Sequence, residues 1–151
     1  MEEMNDVLIR NWNSVVDHTD SVYFLGDFSF GDPAQTEDVL RQLKGHKHLI
    51  VGNHDRHGRH SRKGSFPWGI WFNSISDYQR LKFEGHKFVL CHFPFASWER
   101  QYVNLHGHTH GMHADLFGQH DVGVDSNEYR PITAHEAYAR ATEQHKEKPK
   151  Y

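Results

Sequence analysis

His48-Leu49-Ile50-Val51-Gly52-Asn53-His54-Asp55 is the stretch that decides the fold. A short apolar run stops at a glycine and is followed at once by an amide, an imidazole and a carboxylate. Such a run reads as a fully buried strand that ends in polar chemistry. The same plan stands upstream, where Val22-Tyr23-Phe24-Leu25 stops at Gly26-Asp27. Between the two runs the chain spells a helix. Asp32 is its N-cap, Pro33 takes the first helical position, Gln35 completes a capping box, and Gly45 suits the C-terminal end. Val39, Leu40 and Leu43 give that helix a buried face. Strand, helix, strand predicts a parallel pair with a right-handed crossover, and so an α/β class.

Working outward, residues 2–16 carry Met4, Val7, Leu8, Trp12, Val15 and Val16 at helical spacing. Residues 78–83 and 86–91 predict a hairpin about Glu84-Gly85, and Phe88-Val89-Leu90-Cys91 leads into His92. Tyr102-Val103-Asn104-Leu105 leads into His106-Gly107-His108-Thr109-His110-Gly111. Val122-Gly123-Val124 predicts a late strand, and Thr133 with Glu136 a capping box ahead of Ala137, Tyr138 and Ala141. Residues 56–76 lack clean periodicity and predict a long loop or cap with little regular structure. The tail 144–151 is charged and is expected to fray. The whole chain, 1–151, is one domain's worth of sequence.

Composition bounds the function. With 36% hydrophobic and 25% charged residues the chain belongs to the soluble globular class, and no apolar run reaches the length of a membrane span. The acidic Met1-Glu2-Glu3-Met4 start lacks the basic and apolar regions of a secretory signal. A single cysteine, Cys91, excludes an intrachain disulfide and fits a cytoplasmic protein. The net charge of −3 gives no general attraction to nucleic acid or anionic membrane. Histidine, at 15 residues, is in clear excess, and it is the commonest metal ligand.

The histidines are not scattered. Four apolar segments each end in potential metal ligands: Asp27, Asn53-His54-Asp55, His92, and His108 with His110. Crevices in open α/β sheets lie beyond the carboxyl ends of the strands, so these groups converge although they are far apart in sequence. A carboxylate, an amide oxygen and several imidazoles suit borderline divalent ions: Mn²⁺ first, with Fe²⁺, Ni²⁺, Co²⁺ or Zn²⁺ as alternatives. They suit neither an all-oxygen Ca²⁺ cage nor a thiolate zinc finger.

Leu25-Gly26-Asp27, Gly52-Asn53-His54-Asp55, Cys91-His92 and Gly107-His108-Thr109-His110 together resemble the successive motifs of the calcineurin-like metallophosphoesterases, above all the short bacterial and phage members. The resemblance runs from about residue 2 to about residue 136. It implies a sandwich of two mixed sheets flanked by helices, and hydrolysis of phosphate mono- or diesters by a metal-bound hydroxide. It also implies Asp27 as the bridging carboxylate between two ions. Asn53, His92 and His108 become ligands of the second ion, and His110 a ligand of the first. His54 becomes the group that contacts the phosphoryl oxygens and helps the leaving oxygen depart, with Asp55 holding its ring. Arg56 and Arg59, beside Arg62 and Lys63, form a basic segment that would steer phosphate. The implied partner is a phosphorylated small molecule or nucleotide, with nucleic acid open as an alternative.

One motif of that family has no counterpart. Its Asp-x-His, at the end of an N-terminal strand, would supply two further ligands to the first ion, and none precedes the first helix here. Asp17 and His18 lie at the wrong end of that helix to substitute. A gene start set too late is preferred to a real loss, because intact Asn53-His54-Asp55 makes poor sense in an idle fold. The alternative is a catalytically impaired domain serving as a protein-interaction module. His106 has no matching role and reads as structural, Cys91 as a small buried hydrophobe. Trp68, Trp71 and Phe72 read as core in preference to a base-stacking platform.

Overall fold

A computed structural model describes residues 2–28, 32–57 and 66–149, apart from the side chains of residues 2, 56 and 57. The first helix, α1 (Glu2–Val15), precedes strand β1 (Ser21–Phe24), helix α2 (Pro33–Gln42) and strand β2 (His46–Ile50). β1 and β2 pair in parallel, with Phe24 opposite Leu49, as the strand–helix–strand order requires. The α2 start has the expected capping box. Asp32 accepts from the Gln35 amide, and Gln35 Oε1 accepts from the Asp32 amide, each at 2.9 Å.

Residues 56–76 correct the sequence reading in part. The short helix α4 (Trp68–Trp71) and strand β3 (Ser74–Ser76) lie there, after the five-residue helix α3 (Asn53–His57). β3 pairs in parallel with β2 and completes a three-stranded parallel sheet in the order β1-β2-β3.

The second sheet has the order β4-β5-β6-β7. Strands β4 (Tyr78–Phe83) and β5 (His86–Cys91) form the expected antiparallel hairpin. Its corners, Glu84 and Gly85, sit at φ 47° and 84°, the pair of positive values that a type I′ turn requires. β6 (Val103–His106) and β7 (Gln119–Asp121) then add in parallel. β7 therefore precedes the segment from which a late strand is predicted, and Val124–Ser126 is a 3-10 turn instead. Helix α5 (Ala134–Ala141) closes the chain, N-capped by Thr133.

Alternation along β2 divides the core. Leu49 faces one apolar cluster with Trp12, Val16, Phe28, Leu40 and Phe72, between the parallel sheet and α1, α2 and α4. Ile50 faces the other, where Leu25 meets Phe88, Leu90 and Leu105 of the second sheet and Ala137 and Ala141 of α5. The chain is thus an α/β fold of two sheets flanked by helices. Phe72 is a core residue, and Trp68 and Trp71 are partly buried against the same cluster; Trp68 and Phe72 each lie edge-on to Phe28. Two residues of the tail, Lys146 and Glu147, bond to the body of the fold. Lys146 Nζ donates to Gln119 O at 2.7 Å, and the Phe117 amide donates to Glu147 O at 2.8 Å.

Candidate metal centre

The parallel strands β1 and β2 point their carboxyl ends the same way, so Asp27 and Asn53 arrive side by side. The backbone between them is packed as tightly as glycine allows. A Cβ on Gly52 would stand 2.4 Å from Asp27 Oδ1 and 2.5 Å from Asp27 N. A Cβ on Gly26 would stand 2.4 Å from His92 Nδ1.

His92, buried at the end of β5, is the hub. Its Nδ1 lies 2.6 Å from Leu25 O. A carbonyl can only accept, so Nδ1 carries the hydrogen and Nε2 of the neutral ring presents a lone pair. That lone pair faces Asn53 Oδ1 at 3.0 Å, His108 Nδ1 at 3.1 Å and Asp27 Oδ2 at 3.2 Å. Ligand atoms of Asp27, His92 and His108 lie within 4.8 Å of one another. In the His108 tautomer with Nδ1 unprotonated, four electron-rich atoms converge. One added proton can satisfy a single direction, whereas a cation answers all four. Carboxylate, amide and two imidazoles fit a divalent ion of the Mn²⁺-to-Zn²⁺ series.

Three of the candidate ligands hold unusual backbone conformations. Asp27, His108 and His110 sit at φ 59°, 66° and 50°, in the left-handed region. Non-glycine residues there are uncommon, and they gather at functional sites.

The structure places the other expected residues differently. His54 is exposed, and its backbone amide donates to Asp27 Oδ1 at 2.8 Å. Among the described residues no hydrogen bond joins the Asp55 carboxylate to the His54 ring. That buried carboxylate accepts three amides: Gly52 N at 2.8 Å, Asp27 N at 2.7 Å and Phe28 N at 2.7 Å. Burial pushes the Asp55 carboxyl up, against the pull of those amides. His110 stands outside the Asp27–His92–His108 cluster. Its Nδ1 pairs with Asp125 Oδ2 at 2.6 Å, which raises the imidazole above its ordinary value and leaves Nε2 as the atom that would ligate. Arg59 and the Arg56 side chain lie outside the described residues.

Behind the His108 loop stands a layer that the sequence reading did not assign. His106 Nε2 meets Asp115 Oδ1 at 2.6 Å, and His106 Nδ1 meets Gly107 O at 2.9 Å. Burial opposes charge on both partners, but their mutual bond prevails: His106 is held above its usual value and Asp115 below. Asp115 also accepts the Asp121 amide, and Asp121 in turn accepts from the loop itself. The sequence signal for it is three separate aspartates, Asp115, Asp121 and Asp125, after the last histidine motif.

No family model matches the chain. It is similar to the uncharacterized protein MJ1445 of Methanocaldococcus jannaschii, 32% identical over 88% of this chain and 72% of that protein. It is also similar to the Gene 66 protein of Mycobacterium phage D29, 34% identical over 83% of this chain and 80% of that one. Among solved structures, the protein of unknown function AQ665 from Aquifex aeolicus shares the fold, with a TM-score of 0.68. That likeness covers 90% of this chain and 84% of the other at 24% identity. The chain belongs to the same family as MJ1445 and the phage D29 Gene 66 protein.

Proposed function

We propose that the chain is a metal-dependent phosphoesterase of the calcineurin-like kind, cleaving phosphate mono- or diesters. The observation that carries this is the convergence of Asp27 Oδ2, Asn53 Oδ1 and His108 Nδ1 on Nε2 of His92. A divalent ion bound there would lend positive charge to phosphoryl oxygens and lower the pKa of a water. Asp27, Asn53, His92 and His108 would hold it, and His110 Nε2 is the candidate ligand for a second ion. His54 stands on the same turn as Asn53 with its side chain toward solvent. It is the proton carrier offered to the leaving oxygen as the ester P–O bond breaks and the new P–O bond to water forms. The Leu25 carbonyl fixes the His92 tautomer, the usual work of a ligand's outer partner.

The test is hydrolysis of para-nitrophenyl phosphate and bis-para-nitrophenyl phosphate by the chain with Mn²⁺ and with chelator. Release of nitrophenol that needs Mn²⁺, and that His92→Ala abolishes, supports the reading. Firm Mn²⁺ binding with no hydrolysis of either ester favours the second reading, a metal-bearing interaction module, to which His110's place outside the cluster also points. Absence of Mn²⁺ binding overturns both.

A further inference from the structure

The loop that carries His108 and His110 is two left-handed turns in succession. The first is a three-residue turn, closed by the Thr109 amide to Gly107 O at 2.7 Å, with His108 at its centre at φ 66°. With a positive central φ this is the rare, strained γ-turn rather than its common inverse form. The second is closed by the Met112 amide to Thr109 O at 2.9 Å, with His110 and Gly111 at φ 50° and 76°. Positive values at both corners make it a type I′ turn, which favours glycine, asparagine and aspartate. Only one of its corners is glycine. A histidine in each turn gives the loop a weaker local preference for this shape than glycine would.

A buried carboxylate adds to that preference. Asp121, 4% exposed, lies at the end of β7. Its Oδ2 accepts from Thr109 Oγ1 at 2.8 Å and from the Gly111 amide at 2.9 Å, and its Oδ1 accepts from the Gly123 amide at 2.8 Å. Thr109 is the residue shared by the two turns, and Gly111 is the second corner of the latter. One carboxylate thus grips both turns where they join and where they close. Asp121 is itself held, since its amide donates to Asp115 Oδ2 at 2.8 Å while Asp115 Oδ1 pairs with His106 at the end of β6. The ring of bonds runs from the strand that launches the loop back to the loop.

We propose that Asp121 is a positioning residue for the metal centre: its buried carboxylate holds the Gly107–Met112 double turn in the left-handed form that brings His108 to His92 and Asp27. This rests on the reading of those residues as metal ligands. It adds that His108 is placed from behind by a residue that touches neither the metal site nor substrate. Loss of such an outer partner costs about 10- to 100-fold in metal affinity.

The experiment compares wild type, Asp121→Ala, Asp121→Asn and Thr109→Val. Each protein is titrated with Mn²⁺ and with Co²⁺, and the Co²⁺ visible absorption is recorded on protein shown to be folded by circular dichroism. Asp121→Ala should bind Mn²⁺ about 10- to 100-fold more weakly and give an altered Co²⁺ spectrum. Asparagine keeps one oxygen able to accept from Thr109 and Gly111, so Asp121→Asn should recover much of the affinity. Thr109→Val removes one donor without burying a lone charge and should weaken binding less than Asp121→Ala, with the spectrum moved the same way. A purely structural role would lower the thermal midpoint and leave the Co²⁺ spectrum of folded protein unchanged. Wild-type affinity and spectrum in folded Asp121→Ala overturn the inference; if Asp121→Ala fails to fold, wild-type affinity and spectrum in folded Thr109→Val overturn it. Absence of Mn²⁺ and Co²⁺ binding by wild type overturns the metal-centre reading itself, and the inference with it.

Discussion

Asp55→Ala separates two accounts of the Asn53-His54-Asp55 turn. If Asp55 steadied the His54 ring, its loss would lower turnover and spare the fold. The structure instead gives its carboxylate three backbone donors, Gly52 N, Asp27 N and Phe28 N, at 2.7–2.8 Å, in a site 5% exposed. Removing the acceptor strands three amides. Each buried unmet donor costs roughly 1–3 kcal/mol. Water entering the space of the lost carboxylate would meet part of that need, and the desolvation of the buried charge is relieved, so the low end applies: about 3–5 kcal/mol. Domains of this size hold about 5–15 kcal/mol in all. Urea denaturation in the presence of EDTA should therefore show a midpoint that collapses in Asp55→Ala. Asp55→Asn should fall between, because one carbonyl oxygen can serve Gly52 and Asp27 while its amide group opposes the Phe28 donor. Because two of the three donors flank Asp27, Mn²⁺ affinity should fall with stability. An Asp55→Ala protein with the wild-type urea midpoint and a large loss of turnover would refute this and return Asp55 to the His54 ring.

Three further outcomes are expected. Gly52→Ala would put a methyl 2.4 Å from Asp27 Oδ1 and 2.5 Å from its amide, so it should cost at least about 1–3 kcal/mol by overpacking and weaken Mn²⁺ binding; dialysis followed by metal analysis checks it. Burial holds the His120 imidazole below its ordinary 6.5, and the Asn127 bond does not offset this. The unfolded chain thus takes up a proton first, and stability is lost as pH falls from about 6.5 toward the folded value. His120→Gln should flatten that part of the melting-temperature profile of metal-free protein relative to wild type. Lys146→Ala removes the cation that reaches Gln119 O at 2.7 Å, and should lower unfolding free energy by about 1.5–3 kcal/mol in a urea titration.

The ends of the strands were legible because they follow from chain direction alone. Apolar runs that end in polar residues, two of them after a glycine, place Asp27, Asn53 and His92 at the ends of their strands, whatever the connecting loops do. The elements that went unread depend on neighbours instead. Ser74–Ser76 has no apolar run, and becomes β3 only because β2 offers it an edge. Gln119-His120-Asp121 is polar, and is a strand because Gln119 and Asp121 meet partners inside the fold: Gln119 Nε2 donates to Asn104 Oδ1, and Asp121 accepts from the His108 loop. Adjacency in the sequence does not bring the Asp55 carboxylate to the His54 ring in the structure. Helical neighbours point about 100° apart, so within Asn53–His57 the His54 side chain faces solvent while Asp55 turns inward.

What no local pattern could show is how the ligand loops keep their shape. Sequence reveals that aspartate and histidine tolerate left-handed backbone, not that Asp27, His108 and His110 all adopt it. Each such residue costs of order 1–3 kcal/mol, and it persists only where its surroundings over-determine it. Here the surroundings are two buried carboxylates, Asp55 under the Asp27 loop and Asp121 under the His108 loop, each accepting three donors. The two sites share no residue, and they come from opposite sheets. If both hold, the proposed ligands are set before any ion arrives, and binding requires little reordering of backbone. Mn²⁺ association should then leave the amide hydrogen exchange of Phe28 and Gly111 nearly unchanged in wild type. Both amides already donate to these carboxylates, Phe28 to Asp55 at 2.7 Å and Gly111 to Asp121 at 2.9 Å. A large rise in their protection on adding Mn²⁺ would show instead that the metal, not the carboxylates, orders the loops.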